Sequence, residues 1–86
     1  MTSVAEVKAA IEAALAHVQD GQEAVRAASD RLDDAQHSLS AAVEGSGHEA
    51  VGAAQAALTQ ASIELQECLL ATLAAVEQAR SYAATL

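Results

Sequence analysis

Asp30, Asp33, Asp34 and His37 stand at i, i+3, i+4 and i+7. On a helix this spacing brings all four to one side. Asp34-Ala-Gln-His37 has the three-residue carboxylate–imidazole step with which di-iron bundles hold metal. The chemistry would be capture of iron or zinc. A full ligand set needs more carboxylates. Glu64 and Glu67 could supply them only from a second copy of the chain. The expected core positions Leu32, Ala35 and Leu39 lie on the seam side of the same helix. The acidic group therefore faces away from any core, and a solvated acidic face is the favoured interpretation. No metal and no cofactor is expected.

Other chemistry is weaker still. A cysteine nucleophile needs a neighbouring base, and none falls near Cys68. Cys68 is expected as a small core residue beside Leu65 and Leu69. In a hairpin turning near Ser46, a residue i faces roughly residue 92 − i. His17, His37, His48 and Cys68 then do not converge, so tetrahedral zinc lacks its ligands. No phosphate-cradling glycine loop is present. The chain is expected not to be an enzyme.

The elements that position these residues follow from composition. Alanine fills 24 of 86 positions, proline is absent, and Tyr82 is the single aromatic residue. Alanine is the best helix former, and β-sheet chemistry is missing, so the fold class is all-α. The net charge of −8 opposes nucleic acid, whose phosphates select Lys and Arg. No apolar run approaches the ~20 residues of a membrane span. The N-terminal segment carries Glu6 and Glu12, unlike a Sec signal. The lone cysteine suits a reducing cytoplasm.

Ser3-Val-Ala-Glu6 is a capping box that opens a first helix. Gly45 suits the left-handed position just past a helix end. Ser46-Gly47-His48-Glu49 is a second capping box. One domain, residues 1–86, is predicted: helix 1 over about 4–44, a turn at 45–47 and helix 2 over about 47–85. Asp20-Gly21 could break helix 1. The hydrophobic register runs through it without a skip, so a continuous helix with a close approach at Gly21 is expected.

Positions 4, 11, 18, 25, 32 and 39 are Val, Ile, Val, Val, Leu and Leu. Positions 7, 14, 21, 28, 35 and 42 are Val, Ala, Gly, Ala, Ala and Ala. The two rows predict a coiled-coil-like seam, branched on one side and small on the other. In helix 2, Val51, Leu58, Leu65, Leu69, Leu73, Val76 and Ala83 form a looser stripe, with Ile63 and Leu70 outside it. Residues 63–76 are thus apolar around more than half the circumference, more than one partner helix covers. A core this thin rarely stands alone. The predicted architecture is a long antiparallel two-helix hairpin that dimerises into a four-helix bundle. The interface residues are Ile63, Leu65, Leu69, Leu70, Leu73 and Val76. A weak echo relates Gly21–Leu39 to Gly47–Leu65 at an offset of 26 residues.

The Ser3-Val-Ala-Glu6 start, the Glu44-Gly-Ser-Gly47 turn, two long alanine-rich helices and the terminal Tyr82-Ala-Ala-Thr-Leu86 carry a resemblance. The chain resembles small actinobacterial helical-hairpin proteins of the WXG100-like superfamily of type VII secretion. The likeness spans the whole chain and lies in architecture. The tryptophan of the turn motif is missing, and the residue four after Tyr82 is Leu86 rather than an acid. The resemblance implies homodimeric or heterodimeric four-helix bundles and a role as partner or adaptor of another helical protein. It implies a cytoplasmic protein or one leaving by a non-Sec route. The alternative function is a metal-binding, ferritin-like bundle using Asp34, His37, Glu64 and Glu67 across a dimer.

Overall fold

The computed structural model describes residues 3–45 and 47–86. Two helices fill it: α1, Val4–Ala42, and α2, Glu49–Ala84. They lie side by side as a hairpin measuring 65 × 17 × 15 Å. The all-α hairpin expected from alanine content and turn chemistry is the architecture observed.

The start of α1 follows the capping box. Ser3 Oγ accepts from the Glu6 amide at 3.1 Å, satisfying one of the free N–H groups of the first turn. The helix then runs through Gly21 without a break. It ends two residues earlier than the sequence suggested. Val43 is the C-cap, its N–H donating to the Leu39 carbonyl at 3.1 Å. Gly45 has φ +81°, the left-handed conformation expected of it, one step further out than predicted. The second helix starts at Glu49, two residues late. Its N-cap is His48, whose Nδ1 accepts from the Ala50 amide at 3.1 Å. Ser46, the expected cap, lies outside the described residues, and Gly47 precedes the helix. Glu49 becomes the first helical residue, where the helix dipole favours an acid.

The seam between the helices differs from the one the sequence suggested. In α1 the aliphatic row does face α2 at 11, 18, 25, 32 and 39, whereas its first member, Val4, is 52% exposed. Its companion row is Leu15, Gln22, Ser29, Gln36 and Val43, four residues on rather than three. The small row that was expected there is displaced to the flank: Ala14, Gly21, Ala35 and Ala42 are exposed and Ala28 half-buried. A Cβ added at Gly21 would meet nothing within 4 Å. Gly21 is therefore no close-approach site within the hairpin. Gly21→Ala should raise stability by about 1 kcal/mol, because alanine restricts the unfolded chain and continues the row. A thermal melt followed at 222 nm checks this, with a midpoint rise of about 4–8 °C expected.

In α2 Ala61 is half-buried beside a row of shielded positions at 51, 55, 58, 62, 65, 69, 72, 76, 79 and 83. That is an unbroken 3–4 alternation, tighter than the drifting stripe the apolar residues suggested. Thr72 takes the seam position that Leu73 was expected to hold, and Leu73 remains 45% exposed. The core is thin. Among the described residues only Leu15 and Val76 are buried apolar side chains, and none falls below 2% exposure.

Candidate interaction surface

Three side-chain hydrogen bonds cross from α1 to α2, one part-buried in the seam and two with exposed hydroxyl acceptors at its edge. Gln22 Nε2 donates to Thr72 Oγ1 at 3.2 Å. Gln36 Nε2 donates to Thr59 Oγ1 at 3.0 Å. Gln55 Nε2 donates to Ser40 Oγ at 3.1 Å. The paired numbers sum to 94 or 95, two to three beyond the relation taken from a turn at Ser46. Glutamine is long enough to cross the gap between two helix axes, and a hydroxyl on the far side gives it an acceptor. Each rung holds only when the helices stand at one relative height. Gln22 itself is 6% exposed, so a slip would strand its amide away from water. Ser62 Oγ is buried without a hydrogen-bond partner.

The two flanks of the hairpin are chemically unlike. One carries an open groove lined by Val25, Arg26, Ser29, Asp30, Leu65, Gln66 and Leu69. By helical spacing the same flank also carries Glu12, Asp33 and Arg80, all exposed. The other flank carries the displaced small row of α1 and, from α2, Ala54, Ala61, Cys68 and Ala75. Its groove measures 480 Å³ and is lined by Ala28, Arg31, Leu32, Ala61, Glu64 and Leu65. Four of these six side chains are apolar.

The predicted interface residues separate into two groups. Leu65 and Leu69 are half-buried and Val76 is 9% exposed, all three on the seam-facing side of α2. Ile63, Leu70 and Leu73 remain outside, at 43%, 66% and 45% exposure. Ile63 and Leu70, seven residues apart, form a ridge on the back of α2. Cys68 is exposed, not the core residue expected from its neighbours in sequence. It lies one helical step outside the seam, in the row of Ala61 and Ala75.

The metal candidates do not meet within the chain. Asp34, His37, Glu64 and Glu67 are all exposed. His37 Nδ1 lies 2.8 Å from the Asp33 carbonyl oxygen, where it can donate. Glu64 Oε1 accepts from Gln60 Nε2 at 3.4 Å. Among the described residues no three His, Cys, Asp or Glu side chains stand close enough to hold an ion. Among them, too, no helix is long and apolar enough to cross a membrane.

Compared with protein-family models, curated proteins and solved structures, the chain gives no match.

Proposed function

We propose that this chain is a non-enzymatic helical interaction protein that works by pairing its hairpin with another, in the first place with a second copy of itself. The supporting observation is surface that the hairpin cannot hide. It exposes 6110 Å². A compact monomer of 8.7 kDa would expose about 4,700 Å². A compact dimer would expose about 7,900 Å², so two such hairpins would bury about 4,400 Å² in reaching it. Even half of that figure exceeds the ~1,600 Å² of a standard-size stable interface. Four helices around one core supply the layer of side chains that two helices lack.

The architecture also fits a partner or adaptor role beside longer helical proteins, as the WXG100-like resemblance implies. In that role the hairpin offers rigid helical faces to a partner helix, in the manner of helix-to-groove recognition. The chain would serve in the cytoplasm or leave by a non-Sec route as part of such a pair.

Sedimentation equilibrium at micromolar concentration tests the core of the proposal. The expected mass is twice the chain mass. A monomer that keeps full helicity under the same conditions would refute self-association. Metal content of the same sample tests the alternative, and a stoichiometric iron or zinc signal would favour a ligand set shared across the dimer.

A further inference from the structure

The structure assigns the second copy to the alanine flank, with the two-fold axis parallel to the helices, so that Arg31 of each protomer meets Glu64 of the other. This inference rests on the self-association proposed above and names its face and its orientation.

Three faces compete. The Ile63–Leu70 ridge lies on α2 alone, and a helix docked there would miss α1. The flank with Arg26, Asp30 and Gln66 would bury several charges, which is costly unless every one is paired. The alanine flank is continuous over both helices. Small side chains in α1 (Ala14, Ala28, Ala35) and in α2 (Ala54, Ala61, Ala75) let two backbones approach closely from either side. Pairing there lets each helix of one copy touch both helices of the other, as the area needed for a stable dimer requires.

Charge then fixes the orientation. On the rows of that flank (7, 14, 21, 28, 35, 42 and 10, 17, 24, 31, 38 in α1; 54, 61, 68, 75, 82 and 57, 64, 71, 78 in α2), Arg31 and Glu64 are the only Lys, Arg, Asp or Glu residues, and both line the groove. They carry opposite signs and sit on opposite helices. The rungs Gln22–Thr72 and Gln36–Thr59 place residue 31 level with residue 63 or 64. A two-fold axis along the helices preserves height and exchanges α1 with α2. Arg31 therefore stands over Glu64 of the copy, twice by symmetry. An axis across the helices would instead stack α1 on α1 and α2 on α2, and the two charges would not meet.

The test uses the full chain in three forms. Arg31→Glu and Glu64→Arg each place like charges opposite each other at both contacts. Each variant alone should weaken dimerisation about tenfold or more, because two ion pairs become two repulsions. Helicity should be unchanged at a concentration where both remain folded. Mixed in equal amounts, the two variants should form a heterodimer about as tight as the parent dimer, because every contact again joins opposite signs. A pairing confined to one chain cannot produce this rescue by mixing. Sedimentation equilibrium reads all three. If both variants dimerise like the parent while Leu70→Lys does not, the copy docks on the ridge and the assigned face is wrong, although self-association stands. A parent chain that is monomeric throughout removes the face and the self-association together.

Discussion

Leu15→Ala is expected to unfold most of the chain at 25 °C and low micromolar concentration. Leu15 is 4% exposed, the most deeply buried apolar side chain among the described residues. Removing a buried leucine to its Cβ costs about 2–5 kcal/mol, from lost transfer energy and from the cavity left behind. A core of this size supplies only about 3–5 kcal/mol in total. The loss therefore equals most of what holds the hairpin together. Circular dichroism at 222 nm should show the helical signal largely gone. Leu70→Ala is the control. Leu70 is 66% exposed, so the same truncation should change the hairpin's own stability by less than about 0.5 kcal/mol. Retention of the parent's signal and melting midpoint by Leu15→Ala would show that the seam is not where stability resides.

The residues that carry this prediction show what the sequence made legible. Two helices and one turn followed from alanine, the absent proline, Ser3 and Gly45. The aliphatic row through Ile11, Val18, Val25, Leu32 and Leu39 was also legible, because branched side chains recurring every seven residues mark the shielded face of a long helix. The companion row was not. A row three residues on and a row four residues on fit the same heptad. Hydrophobicity favours the first, with its alanines, over the second, with Gln22, Ser29 and Gln36. Geometry favours the second. Leu15 and Val43 fill its ends, and glutamine spans the gap to a hydroxyl on α2. The same bias replaced Thr72 by Leu73 in α2. Polar seam residues declare themselves only in pairs, so the available signal was the matching of Gln22 with Thr72, Gln36 with Thr59 and Ser40 with Gln55 at a near-constant sum. His48 was missed as a cap because Ser46 is the commoner capping type.

The displacement of the small row also changes what the alanine excess does. Inside the hairpin it would have been a way to bring α1 and α2 together. On the flank it is an unused small-residue surface continuous over both helices. The echo at an offset of 26 residues respects this division. It carries Leu32 and Leu39 of the seam onto Leu58 and Leu65 of the seam, and Ala28 and Ala35 of the flank onto Ala54 and Ala61. Each helix therefore offers the same two faces, one for its partner in the hairpin and, under the proposed pairing, one for a helix of the second copy.

Thr72→Val should destabilise the hairpin by about 1–3 kcal/mol although it adds a methyl group and keeps the shape of the side chain. Thr72 Oγ1 donates to the Leu69 carbonyl at 2.7 Å and accepts from Gln22 Nε2 at 3.2 Å. Valine removes the acceptor and leaves a shielded amide with no partner, whose desolvation is then uncompensated. Adding Gln22→Leu removes that amide as well. The double variant should recover the loss and exceed the parent, since two apolar side chains of similar size pack where a hydrogen bond stood. The two changes are strongly non-additive, and a double-mutant cycle in urea measures the coupling directly. Stability gained this way should cost definition. Without the Gln22 rung, the register of α1 against α2 rests on the two exposed rungs alone and should loosen, as it does in coiled coils when a polar core pair is removed. The double variant should therefore melt later yet form mixed oligomers where the parent forms one species. If Thr72→Val melts with the parent, or if the double variant is as weak as the sum of its parts, the rung contributes neither stability nor register.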